Sequence, residues 1–149
     1  MILTSSAFAN GEQIPTKYGY NFKNINPPLE IDLVPENTKS FVIIMDDPDA
    51  MTAVGKIWIH WIICNIPPET KTIPENFSSN NAVEGKTDFD EIGYGGPAPP
   101  DKTHTYIFKM YALDSKLNLS EGYSKTELEK LMKGHILEET KLTGIYSPS

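Results

Sequence analysis

GYGGPAPPDKTHTYIFKMYAL, residues 93–113, joins a glycine- and proline-rich loop to an apolar run that opens with a histidine. Strand alternation places His104, Tyr106, Phe108 and Met110 on one side, and Thr105, Ile107, Lys109 and Tyr111 on the other. The more apolar side therefore begins with an imidazole and carries a phenol. Neither the loop nor the strand explains the other by itself.

Two more runs of the same kind stand upstream. Residues 40–45 (SFVIIM) and 57–66 (IWIHWIICNI) are β-branched and aromatic, and both faces of the second are mostly apolar, so they read as central strands. Twelve prolines and ten glycines, with Pro-Pro pairs at 27–28, 67–68 and 99–100, cut the chain into short pieces. Long helices are excluded over most of it. One helix is well signed: Ser124 and Glu127 have capping-box spacing, and Leu128, Leu131, Met132, His135 and Ile136 recur at three and four residues. His135 shares that stripe and reads as a half-buried packing residue. Strands dominate and the helix comes late, so the expected fold is mainly β, an antiparallel β-sandwich of two sheets with a C-terminal helix, in one domain over residues 1–149. The segment 76–85 (NFSSNNAVEG) reads as the most loop-like part and as a mobile one.

Thirteen Lys and Arg against twenty Asp and Glu give a net charge of −7, which repels polyphosphate backbones and acidic lipid surfaces at long range. Nucleic acid is therefore not expected as a partner. The N-terminal MILTSSAFANGEQIP lacks a basic region followed by an apolar core, and the longest apolar run is about half of what spans a bilayer. Neither a secretory signal nor a membrane anchor is expected. The lone Cys64 lies in an apolar run and reads as a small buried hydrophobe, in keeping with a reducing, cytoplasmic setting.

Three stretches carry side chains suited to chemistry. Asp46, Asp47, Pro48 and Asp49 end the first strand; Asp46 and Asp49 read as turn residues, Asp47 as a candidate, and the sequence permits a cis peptide before Pro48. In WIHW, residues 58–61, His60 shares a face with Trp58 and Ile62, and burial there disfavours its charged form. In YGGP, residues 94–97, glycines expose backbone N–H groups and prolines stiffen the loop ahead of His104 and Tyr106. Brought together, these groups make a small mixed-charge oxyanion pocket. Imidazoles, phenol and loop N–H groups donate, while Asp47 orients an imidazole or meets a ligand's cationic end. With two histidines as donors, anion affinity is expected to rise as pH falls toward about 6.

These motifs resemble the phosphatidylethanolamine-binding protein family in its shorter bacterial and archaeal branch. DPDAM (47–51) resembles its Asp-Pro-Asp-Ala-Pro motif, WIHW its Trp-x-His-Trp strand, and YGGPAPP with HTY its Gly-Pro loop and His-Arg-Tyr strand. AFANGEQIP, NPPLEI and GHILEETKLTGIY extend the resemblance over nearly the whole chain. Met51 stands where the motif has proline, Thr105 where it has arginine, and Asn26 where this branch commonly has serine. The resemblance implies two antiparallel sheets and a shallow cavity for phosphate-like groups, built from Asp47, His60, Gly96, Pro97, His104 and Tyr106 with Trp58 as a wall.

It further implies a phosphate- or phospholipid-head-group-binding regulator of the Raf kinase inhibitor-like kind, without turnover, cofactor or metal. A kinase or protease partner and a homodimer are both compatible with it. The competing reading is a metal-dependent or histidine-based phosphoester hydrolase using Asp47, His60 and His104.

Overall fold

The computed structural model describes residues 1–78 and 81–149. Two antiparallel sheets form the body. The smaller has the order β1-β2-β5, from β1 (Ile2–Thr4), β2 (Leu29–Asp32) and β5 (Thr72–Ile73). The larger has the order β6-β4-β3-β7-β8, from β3 (Ser40–Asp47), β4 (Trp58–Ile66), β6 (Val83–Glu84), β7 (His104–Leu113) and β8 (Ile136–Tyr146). All strand pairings within the sheets are antiparallel. The mainly β sandwich expected from the sequence is the fold observed.

Strand β3 is buried along its whole length because both of its faces are covered. Phe41, Ile43 and Met45 point between the sheets, where they meet Leu3, Leu29, Ile31, Trp61, Ile63, Phe108 and Met110. Val42 and Ile44 point the other way, onto Ile59, Ile62, Cys64, Tyr123 and Leu128. A strand enclosed on two sides reads as an uninterrupted apolar run, which is why SFVIIM shows no alternation. β7 shows the intermediate case: its His104, Tyr106, Phe108 and Met110 are fully buried while Thr105, Ile107, Lys109 and Tyr111 are half-buried.

Helix α2 (Lys125–Met132) closes the second face with Leu128 and Met132. Its N-terminus has the expected reciprocal cap: the Ser124 side chain accepts from the Glu127 N–H, and Glu127 accepts from the Ser124 N–H. Its C-terminus falls earlier than the periodicity implies. The helix stops at Met132, Gly134 takes φ +86°, and Ile136 already begins β8. His135 is therefore not a helical packing residue; it is exposed, and its Nδ1–H donates to Asp114 Oδ1 at 2.8 Å. The last element of the chain is a strand, not a helix.

Two local expectations also change. Residues 50–54 form a short helix, α1 (Ala50–Val54), directly after the acidic strand end, and the peptide before Pro48 is trans like every other among the described residues. The proposed mobile loop at 76–85 falls partly outside the described residues; its end enters the sheet as β6. No helix among the described residues is long and apolar enough to cross a membrane.

Leu128 is fully buried at the centre of the second core, so Leu128→Ala should lower stability by about 2–5 kcal/mol, against about 1 kcal/mol for Ser124→Ala at the cap. Urea unfolding of the two variants checks this order.

Candidate functional site

Because β3 lies antiparallel between β4 and β7, its C-terminal end meets the N-terminal ends of both neighbours. Asp47 sits opposite Trp58, and His104 opens β7 alongside. The pairing of β3 with β4 is broken once near this end. Met45 pairs with Trp61, but Asp46 pairs with Ile59, so one extra residue, His60, is inserted. This bulge turns His60 toward the space between the sheets while Ile59 and Ile62 remain on the helix side. His60 thus shares the site with Trp58, as expected, but not its face with Ile62. The bulge re-aims an imidazole that plain alternation would misplace.

Asp47, Trp58, His60, His104 and Tyr106 line one cavity of about 120 Å³, walled by Phe89, Ala98, Pro100 and three residues of α1, Ala50, Ala53 and Val54. That is room for about four water molecules, the scale of a small tetrahedral oxyanion and not of an acyl chain. A wider hollow of about 560 Å³ near Lys39, Asn65 and Lys116 is larger but open, and its titratable side chains are solvated surface groups. The small cavity is where buried polar groups converge.

Its electrostatics centre on His104. The ring is 1% exposed, with Nδ1 2.6 Å from Asp47 Oδ2 and Nε2 2.6 Å from Asp101 Oδ1. Burial works against its charge, but the two carboxylates outweigh burial and raise its pKa above the usual value. With a carboxylate oxygen, an acceptor, 2.6 Å from each nitrogen, the geometry is that of an imidazolium donating from both. Burial raises the Asp47 pKa, and the hydrogen bond from His104 opposes that rise. The Asp49 N–H donates to Asp47 Oδ1 at 3.0 Å, so both of its oxygens are occupied.

His60 behaves oppositely. Burial pushes its pKa down to about 4, and its Nδ1–H donates to the Gly95 carbonyl at 2.7 Å. The neutral ring stands edge-on to Phe89 and Tyr106 and presents Nε2 as an acceptor. The neutral state expected for His60 from its burial is the one found, but its one N–H is spent on Gly95, so of the two histidines expected as donors to an anion His104 alone keeps that role. Two other buried donors belong to the lining residues: the Trp58 indole N–H, without a partner among the described residues, and the Tyr106 hydroxyl, which lies beside the Asp47 carboxylate and the Ala98 backbone without a hydrogen bond of good geometry. Burial, reinforced by Asp47, raises the Tyr106 pKa far above its ordinary value, so the phenol keeps its proton.

Gly96 and Pro97 do not join this cavity; Ala98 and Pro100 supply the loop's contribution to its lining. The Gly96 N–H, expected as an anion donor, is taken by Asn24 Oδ1 at 2.7 Å, and the Gly95 N–H by the His60 carbonyl at 2.8 Å. The glycines serve close approach instead. A Cβ on Gly96 would lie 2.0 Å from the Tyr18 carbonyl oxygen, and one on Gly95 2.6 Å from the Phe89 ring. Pro97 accepts from the Tyr20 N–H at 3.0 Å, which ties the loop to the neighbouring turn.

Sequence reasoning missed Phe89 and Asp101. Phe89 stacks on Tyr20 at 4.1 Å and stands edge-on to Trp58, forming one wall of the cavity. It lies in an acidic loop, TDFDE, where a single aromatic gives no periodic signal. Asp101 could have been found as a carboxylate three residues before His104 in a proline-stiffened loop. Of the departures from the family motifs, Asn26 is a buried clamp bonded to Pro27, Pro74 and Phe77. Thr105 uses its N–H on Asp49 from the face opposite His104.

Two antiparallel sheets, with a small cavity where three adjacent strands end, define the class: a mainly β sandwich. The chain belongs to the phosphatidylethanolamine-binding protein family, whose sequence profile matches residues 4–147. A UPF0098 protein of Methanothermobacter thermautotrophicus is 42% identical over 151 residues, covering 98% of each chain. Among solved structures, a phosphatidylethanolamine-binding protein homologue from Chlamydia trachomatis superposes with a TM-score of 0.92 at 41% identity, covering 99% of this chain and 97% of that one. Escherichia coli YbcL, described as a member of the mammalian family, gives 0.90 at 31% identity, with 99% and 98% covered.

Because the fold holds His60 neutral, stability is complete above about pH 6.5 and is lost as pH falls from there through about 4, a contribution of about 3 kcal/mol. Urea unfolding at both ends of that window should show His60→Gln losing that much less than the parent. Equal losses would mean that the imidazole protonates freely inside the fold.

Proposed function

We propose that the chain is a non-catalytic binding protein for small phosphate-bearing ligands, whether free phosphoesters or phospholipid head groups, whose occupancy regulates a protein partner. The observation that carries this reading is the gathering of buried donors on one cavity: Trp58 Nε1–H, without a partner among the described residues, the Tyr106 hydroxyl beside Asp47, and His104, whose two nitrogens both face carboxylates. Buried donors without partners are rare because each forfeits its hydration, and an acceptor oxygen from outside restores the loss. The cavity volume suits one phosphoryl group, leaving any lipid tail outside. Family membership and the names of the relatives fit this reading without extending it.

Regulation is supported by the position of α1. Ala50, Ala53 and Val54 line the cavity, while Met51 and Val54 are about half exposed on the same short helix. A ligand that moves the inner residues also moves an apolar outer surface. The buried, unpaired thiol of Cys64 fits a reducing compartment and supports a cytoplasmic setting.

The hydrolase reading rests on one feature: Asp47 holds His104 at Nδ1, the arrangement of a general-base pair. Among the described residues no Ser, Thr or Cys lines the cavity to act as nucleophile, and no three His, Cys, Asp or Glu stand close enough to hold a metal ion. Steady release of phosphate from a phosphoester, lost in His104→Ala, would establish turnover against the present proposal.

Dimethyl phosphate keeps one negative charge across the titration range of histidine and is the cleanest probe. Its affinity should hold below about pH 6.5 and fall as pH rises through the raised His104 value, the sense opposite to a carboxylate-controlled site. His104→Ala and Tyr106→Phe should each weaken binding about tenfold, and His104→Ala should remove the pH dependence. Nuclear magnetic resonance titration of the ring protons reads both; affinity that is flat with pH in the parent would remove His104 from the site.

A further inference from the structure

His104 already has an anion on each side. Asp47 is the structural one, carried on β3 and almost wholly buried; Asp101 is different. It sits in the loop that supplies Ala98 and Pro100 to the cavity wall, and its side chain is 41% exposed while it holds Nε2 of a ring that is 1% exposed. The Nε2–H is the one His104 donor that is not committed to the interior. An oxyanion in the cavity must take that donor from Asp101 or do without it.

We propose that Asp101 is a tethered competitor, a carboxylate that occupies the ligand's place on His104 and must swing away before an external oxyanion can bind. This inference rests on the phosphate-binding reading of the pocket and adds to it a residue that sets affinity and selects by charge. A carboxylate three residues from its target is present at an effective concentration that a free ligand must exceed, so the apparent affinity is reduced by the fraction of molecules in which the loop is closed. Displacement does not remove its influence. Asp101 stays tethered three residues from His104, in the loop whose Ala98 and Pro100 line the cavity, and its charge together with that of Asp47 resists a dianion more than a monoanion.

The groups around the ring are limited. Asp47 and Asp101 touch its nitrogens, and Tyr106 lies beside it, ring to ring at 6.3 Å. Burial pushes the His60 pKa down to about 4, and its Nδ1 is held by the Gly95 carbonyl. Lys102 neighbours Asp101 in sequence and makes no ion pair among the described residues, so it does not hold the carboxylate in either position. The backbone N–H groups of Asp101 and Lys102 reach the same carboxylate, so the turn of the loop and His104 together hold Asp101 inward.

The test compares the parent with Asp101→Asn, which keeps the side chain's shape and removes its charge, and with Asp101→Ala. At about pH 6, where His104 is charged, Asp101→Asn should bind dimethyl phosphate about tenfold more tightly than the parent, with a larger gain for inorganic phosphate as its dianion fraction rises above pH 7. A second readout excludes a merely structural effect. In the parent, ligand exchanges one anion for another on Nε2, so the His104 pKa should move little on binding; in Asp101→Asn it should start lower and rise when ligand enters. Unchanged or weaker binding in both variants, with the parent still binding, would overturn the competitor and leave the pocket standing. Absence of binding by all three proteins would remove the pocket reading and this proposal together.

Discussion

The ion pair between Asp47 and His104 holds together the end of the molecule that matters. It joins the last residue of β3 to the first residue of β7, the point where two central strands stop protecting each other with backbone hydrogen bonds. Both groups are nearly inaccessible to water, so losing either would leave the other a buried charge with only one remaining partner, Asp101 for His104 and the Asp49 N–H for Asp47. Paired, they fix the separation of the strand ends and thereby the size of the cavity. The same pairing keeps the imidazole protonated and points its remaining donor toward the mouth.

Much of this was legible in the sequence because the signals are local and redundant. The runs at 40–45, 57–66 and 104–113 lack the breaks and the period of helices, and the Ser124–Glu127 cap marks one helix start without ambiguity. That Asp47, Trp58, His60, His104 and Tyr106 meet follows from antiparallel neighbours whose motifs lie at matching ends. What escaped has physical causes. Strand β8 reads ILEETKLTGIY, and its exposed first half carries charges where a buried strand would carry valine or isoleucine. A three-to-four spacing over His135 and Ile136 continued the helix pattern by coincidence past Gly134, where the backbone turns.

The site's finer chemistry was less readable, for a related reason. Sequence tells that glycine admits an exposed N–H, but not which neighbour claims it, and Asn24 and the His60 carbonyl claim the two at Gly96 and Gly95. Likewise a histidine's charge depends on partners brought from elsewhere in the chain. His60 meets a carbonyl and two aromatic rings and stays neutral; His104 meets two carboxylates and does not. The pocket consequently works with one cation, one phenol and one indole, an economical donor set inside an acidic protein.

Asp46 and Asp47 are consecutive, so their side chains leave β3 on opposite faces, and β7 answers both: Lys109 reaches Asp46 at 2.9 Å on one face while His104 takes Asp47 on the other. Sliding β7 by a single position against β3 would turn each cation away from its carboxylate and strand both acids in the interior. The acidic strand end is thus a two-sided key that only one alignment of the sheet can turn, and the pair that closes one end of the cavity also forbids the chain from assembling a half-step out of place.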